Sequence, residues 1–201
     1  MFGILDYGLG NIKSISNMLD YLDIEHIFVK NKNDFLKINK LILPGIGSFD
    51  IAMKYLNERD FIYEIKHFVS NSNNYLIGIC LGMQILGNKS EEGFNEGLKL
   101  IDFNVLSLKN HTINNVPHMG WSEVSKNNFE YKKDSLDKFY FVHSYFVPLT
   151  IENSKYETIM ICDYGIKYSA AIKRNNIFGF QFHPEKSHKF GMDLFKFLAK
   201  L

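Results

Sequence analysis

Short apolar runs bounded by glycine, proline or asparagine recur through the first half of the chain, at residues 2–5, 24–29, 41–43 and 76–79. Runs of this length read as buried strands. Between the first two the spacing changes: Ile12, Ile15, Met18, Leu19 and Leu22 return at intervals of three and four, which predicts a helix over residues 11–22 with one face on a sheet. Residues 61–69 repeat that pattern more briefly. Beyond residue 100 the texture turns to strand candidates at 139–147, 158–162, 168–172 and 177–182, until residues 190–201 return to helix. Strands alternating with helices, followed by a mainly antiparallel extension and a closing helix, predict a three-layer α/β domain around a mainly parallel central sheet. With no linker, internal repeat or low-complexity segment, one domain over residues 1–201 is expected.

Composition narrows the classes. The chain has 201 residues, 46% hydrophobic and 22% charged, which suits a folded globule with a sizeable core. A net charge of +1 and the lack of a basic cluster argue against a nucleic acid or an anionic membrane surface as partner. No apolar run approaches the length of a membrane span, and Met1 leads straight into a strand-like run, so a cytoplasmic protein without an export signal is expected. Cys80 and Cys162 are then expected as free thiols.

The densest chemistry lies in Gly78-Ile79-Cys80-Leu81-Gly82-Met83-Gln84, after a strand and before a helical run. This is the form of a nucleophile elbow, in which glycines on either side let a strand turn sharply into a helix and lift the reactive side chain above the sheet. A helix N-terminus favours thiolate over thiol, so Cys80 is the candidate nucleophile. The plainer alternative is a buried small hydrophobe in a glycine-rich turn. Cys162, in a strand-like run with no acid/base pair nearby, reads as core. Among seven histidines, His183 stands out in Phe182-His183-Pro184-Glu185 at the end of an apolar strand. Pro184 restricts His183 to extended backbone, and two-residue spacing turns the imidazole and the Glu185 carboxylate to one side. Cys80, His183 and Glu185 thus match the roles of nucleophile, general acid/base and orienting carboxylate. Pro44-Gly45-Ile46-Gly47-Ser48-Phe49 follows a short strand. Its glycines free backbone N–H groups for an oxyanion hole, or the segment is a tight turn with Ser48 capping a helix. Asp6-Tyr7-Gly8-Leu9-Gly10-Asn11 is only a weak phosphate-loop candidate, because the third spaced glycine is missing.

These motifs resemble the class I, triad-type glutamine amidotransferases. Six segments carry the likeness: residues 6–11, 44–49 with Met53, 78–84, Pro117-His118-Met119-Gly120-Trp121, Val142-His143-Ser144-Tyr145, and 181–185. Together they are similar to the glutaminase subunits of imidazole glycerol phosphate synthase. The resemblance implies a glutamine amidotransferase-like, flavodoxin-like fold with an antiparallel β extension. It also implies glutamine hydrolysis through a Cys80 thioester, in histidine biosynthesis, with no cofactor and no metal. The ammonia would pass to a (β/α)8-barrel cyclase in a heterodimer. By the same resemblance Leu81, Gly45, Ile46 and Gly47 supply the oxyanion hole. Gln84, His143, Ser144 and Tyr145 surround glutamine, although His143 reads equally as a satisfied histidine in a buried strand. His118, Met119, Trp121, Tyr140 and Lys186 face the cyclase. Ser122 departs from the family's usual asparagine and leaves open a paralogous subunit that supplies ammonia for amidination of a bacterial surface sugar. A reactive-cysteine peptidase or deglycase, and a binding module that has lost catalysis, are the alternatives from other classes.

Overall fold

The computed structural model describes residues 1–127, 129, 131, 137–150 and 155–201. In chain order the strands are β1 (Phe2–Leu5), β2 (His26–Val29), β3 (Lys40–Leu43), β4 (Tyr75–Ile79), β5 (Lys89–Ser90), β6 (Asn104–Ser107), β7 (His118–Lys126), β8 (Asp137–His143), β9 (Tyr145–Phe146), β10 (Glu157–Asp163), β11 (Lys167–Arg174) and β12 (Ile177–Phe180). The helices are α1 (Ile12–Tyr21), α2 (Phe49–Glu58), α3 (Phe61–Ser70), α4 (Leu81–Gln84) and α5 (His188–Ala199).

Nine of these strands form one sheet in the order β2-β1-β3-β4-β12-β11-β10-β7-β8. From β2 to β12 neighbours run parallel, and from β12 to β8 they run antiparallel. A second small sheet joins β5, β6 and β9. Parallel strands are buried on both faces, and their residues therefore divide between two cores with a period of two. Ile42 and Ile77 pack with Ile15 and Leu19 of α1 and Leu194 and Leu198 of α5. Leu41, Leu43 and Leu76 pack on the other side with Ala52 and Leu56 of α2 and Ile65 and Phe68 of α3. The three layers expected from the sequence are present.

Three strands escape the hydrophobic pattern. Two are the short β5 and β6; the third is the nine-residue β7, in whose first half the apolar residues point outward and the polar ones inward. Met119 and Trp121 are exposed, while His118 is buried and Ser122 half-buried. A strand with that reversed pattern offers no apolar run to read. Among the described residues no helix is long and apolar enough to cross a membrane.

Candidate active site

The strand β4 ends beneath Cys80, whose backbone adopts φ 55° and ψ −112°. This left-handed φ is uncommon for a residue with a Cβ, and such strain persists only where its surroundings impose it. They do so here. Cys80 N–H donates to the Phe180 carbonyl at 2.7 Å, and the Cys80 carbonyl accepts from Met83 and Gln84 at the start of α4. Gly82 packs so closely on the Leu43 carbonyl that a Cβ has no room, and a Cβ on Gly78 would lie 2.6 Å from the Gly82 carbonyl oxygen. The motif's glycines therefore serve close backbone approach, and the positive φ falls on the cysteine itself.

His183 follows β12 in extended backbone, and its N–H donates to the Tyr140 carbonyl at 2.8 Å. Its Nδ1 lies 2.8 Å from Glu185 Oε1. The contact arises from a 3-10 turn over Pro184–Lys186 rather than from strand alternation, the reason the sequence suggested. The Nε2 of His183 is buried and free of hydrogen bonds among the described residues. Burial pulls this imidazole toward neutrality, but Cys80 and then Glu185 outweigh it and hold its proton affinity well above the ordinary histidine range.

Both residues open into a cleft of about 320 Å³, lined also by Ile46, Gly47, Leu81, Gln84, Glu92, Pro117 and residues 142–145. That volume lies at the low end of small-molecule sites. The loop 44–48 rests directly on the elbow: a Cβ on Gly45 would stand 2.7 Å from Gly82 N. Gly47 has φ 90° and turns the chain past the cleft. Leu81, first in α4, has an N–H with no acceptor within the helix and is available at the cleft floor.

The segment 6–11 has a structural task that its sequence did not disclose. The buried Tyr7 hydroxyl donates to the Pro44 carbonyl at 2.8 Å, and Gly10 lies so close that a Cβ would approach Pro44 Cβ to 2.8 Å. It buttresses the loop 44–48 from behind. Ser48 occupies the N-cap position of α2 but makes no capping bond. Glu92 does so in its place, accepting from Phe49 N–H at 2.9 Å.

Glu92 is the cleft residue that sequence reasoning missed. It sits in a polar stretch after β5 with no motif around it. Asp50 anchors that stretch by accepting from the Phe94 and Asn95 amides. Burial, with Asp50 nearby, raises the Glu92 carboxyl above its usual value despite the Phe49 bond.

His143 is a satisfied buried histidine: Nδ1 bonds the Tyr145 carbonyl at 2.8 Å and Nε2 the Tyr168 hydroxyl at 3.1 Å. Its ring therefore has no free nitrogen to offer the cleft. Gln84 Nε2 donates to the Tyr145 carbonyl and to Gln181 Oε1. Of the residues expected to face a partner, Met119, Trp121 and Lys186 are exposed and Tyr140 is half-buried. His118 must be corrected. It is 1% exposed, stacked between Tyr164 and Phe141, and has no surface to offer. Cys162 is core as expected, its thiol pushed up to about 11 by burial.

The profile described as "Glutamine amidotransferase class-I" matches residues 3–200. The chain belongs to the class-I glutamine amidotransferases. It is 40% identical to the imidazole glycerol phosphate synthase subunit HisH 2 of Pseudomonas aeruginosa, with both chains covered in full. It is 41% identical to the subunit of the same name from Methanococcus maripaludis, over 100% of this chain and 99% of that one. Among solved structures, one titled as a glutamine amidotransferase superposes with a TM-score of 0.76 at 18% identity, covering 100% of this chain and 99% of the other. PurLQS from Thermotoga maritima gives 0.73 at 16%, covering 99% and 97%. At such identities these last two speak for the fold alone.

Proposed function

We propose that this amidotransferase is the glutaminase subunit of an imidazole glycerol phosphate synthase and that Cys80, His183 and Glu185 carry its chemistry. The observation that supports this most directly is the strained Cys80 facing a histidine whose far nitrogen is held by Glu185 at 2.8 Å. The raised proton affinity of His183 favours an imidazolium beside a thiolate. The thiolate attacks the side-chain carboxamide carbon of glutamine, and the oxygen takes up the developing charge. The N–H of Leu81 and one or more from residues 45–47 stabilise that oxyanion, each donor being worth roughly 3 kcal/mol or more of barrier. Collapse breaks the C–N bond, His183 gives its proton to the departing nitrogen, and ammonia leaves a γ-glutamyl thioester on Cys80. His183, now neutral, takes a proton from water as the oxygen attacks the thioester. Breaking the C–S bond then releases glutamate and restores the ion pair.

Glu92 is suited to the α-ammonium of glutamine, and the backbone of residues 143–145 to its α-carboxylate. Discrimination would come from leaving these buried polar groups unpaired with any other ligand. The outward face of β7 with Tyr140 and Lys186 is where we dock a (β/α)8-barrel cyclase. The Trp121 ring is 6.2 Å from that of Tyr140, and Lys186 Nζ is 5.7 Å from the Tyr140 ring centre. His183 is bonded to the Tyr140 backbone, so this face begins one residue from the triad. A closed passage there keeps ammonia from becoming ammonium in water. The test is glutamate release by the chain alone and with the cyclase, together with formation of imidazole glycerol phosphate from glutamine. Glutamate release without transfer to the cyclase's acceptor would leave the glutaminase reading standing and overturn the partner.

A further inference from the structure

The proton positions in one buried chain of side chains follow from a single carbonyl. The Tyr145 carbonyl can only accept, so the His143 nitrogen 2.8 Å from it, Nδ1, carries a hydrogen. Burial holds His143 neutral, lowering its value to about 3, and its Nε2 is therefore a bare acceptor. The Tyr168 hydroxyl, 3.1 Å away, must donate to it. That hydroxyl has only one hydrogen, so toward His118 Nδ1, at 2.8 Å, its oxygen accepts. His118, also kept neutral by burial, carries its hydrogen on Nδ1 and accepts at Nε2 from the Ser122 hydroxyl at 2.8 Å. The Cys162 thiol also lies against Tyr168. The rings in this chain are held fast: Tyr168 is fully buried, and the His118 ring lies 3.9 Å from Tyr164 and 4.7 Å from Phe141 in stacked geometry.

Beyond His143 the same carbonyl continues the line. It accepts from Gln84, Gln84 donates to Gln181, and Gln181 Nε2 lies 3.8 Å from Cys80 Sγ. The chain thus runs from Ser122, on the strand that carries Met119 and Trp121 outward, to the wall of the glutamine cleft. The mechanism proposed above uses none of Ser122, His118 or Tyr168.

We propose that Tyr168 is a positioning residue for glutamine binding, whose hydroxyl, by donating to His143 Nε2, stabilises the Nδ1–H tautomer that the Tyr145 carbonyl requires and so holds the backbone of residues 143–145 in its binding conformation. This rests on the glutaminase reading, because it assigns that backbone to the glutamine α-carboxylate. In the other tautomer His143 Nδ1 and the Tyr145 carbonyl are two acceptors face to face, and the segment must shift to relieve them. Ser122 is the far end of this device, where a partner on β7 meets a hydroxyl whose single proton is committed inward.

Two measurements test it. Imidazole ¹⁵N spectra of the wild-type chain should record His143 and His118 as neutral Nδ1–H tautomers at pH 7. An Nε2–H His143 overturns the proposal whatever the enzyme does, and this arm needs no variant to fold. The second is Tyr168→Phe, which keeps the buried ring and removes only the hydroxyl. Its glutamine KM in the assembled complex should rise about five- to tenfold, the loss of one hydrogen bond of ordinary net strength, with kcat within about twofold. In a Cys80→Ala background glutamine affinity should fall by the same factor, a binding readout that survives failure of the glutaminase mechanism. An unchanged KM and affinity, or a fall confined to kcat, overturns the role of Tyr168.

Discussion

The Phe49 amide donates to the Glu92 carboxylate at 2.9 Å, across forty-three positions of sequence. Phe49 is the first residue of α2 and follows directly on the loop 44–48, so one carboxylate both caps a helix and lines the cleft beside Cys80. Glu92→Gln retains an acceptor for Phe49 but loses the charge facing an α-ammonium. Glutamine KM should rise about tenfold or more, since hydrogen bonds to charged groups are worth roughly 1.5–3 kcal/mol. Because burial raises the Glu92 carboxyl, the wild-type KM should also climb as the pH is lowered, and Glu92→Gln should flatten that climb. Steady-state kinetics from pH 5 to 8 reads both effects.

Cys80→Ala removes the nucleophile while leaving the cleft in place. Glutamate release should drop on the order of a thousandfold or more, with glutamine still bound by calorimetry. Near-normal release from the variant would end the thioester mechanism.

Gly82→Ala places a methyl against the Leu43 carbonyl, where the backbone of the elbow cannot yield without moving Cys80. Overpacking of this kind costs about 1–3 kcal/mol, so the denaturation midpoint should fall together with activity. A variant as stable and active as wild type would mean that the close approach of α4 to the end of β3 does not hold the elbow.

Stability should weaken in mild acid for a specific reason. Burial lowers His118 to about 4 and His143 to about 3, the latter also pressed by its neighbour His118. In the unfolded chain both take up protons near 6.5, so the unfolded state binds more protons between these limits. Their contribution is full above about pH 6.5 and is lost as the pH falls toward 4, at about 2.7 kcal/mol per pH unit while both take part. Denaturant unfolding from pH 4.5 to 7 measures the slope, and His118→Phe should remove about half of that contribution. If the slope is the same in the variant, these histidines are not its source.

Lys186 is exposed one residue beyond Glu185, in reach of whatever docks over Tyr140. If its partner charge is desolvated on docking, Lys186→Ala should weaken the complex by roughly 2–5 kcal/mol, because one charge is left stranded. Titration of the labelled variant with cyclase reads the affinity. Equal affinity, with glutaminase turnover stimulated as in wild type, removes Lys186 from the interface.

The two halves of the proposed triad could be read from the chain because the geometry of each is local. Gly78, Cys80 and Gly82 lie within five residues, and His183 and Glu185 within three, so backbone sterics and a single turn bring each motif to working shape wherever the rest of the fold goes. The alternation of strands with α1 and α3 was legible for a similar reason, since periodic burial is written into periodic sequence. Even here the chain misled in detail: the positive φ belongs to Cys80 rather than to its flanking glycines, and a 3-10 turn joins His183 to Glu185.

What only the tertiary structure decided is what depends on pairing between distant strands. Glu92 reaches the cleft because α2 holds the loop that carries it, and no spacing in sequence encodes that distance. In the first half of β7 the usual pattern is turned inside out, with Trp121 and Met119 outside and His118 inside, because one face is left open there while the other meets the Tyr168 hydroxyl. The register that sets His118 opposite His143 across β7 and β8, with Tyr168 between them, comes from backbone hydrogen bonds along the whole ladder. Moving that register by one residue would turn one imidazole to the opposite face from the other, so the arrangement belongs to the folded sheet and not to either strand alone.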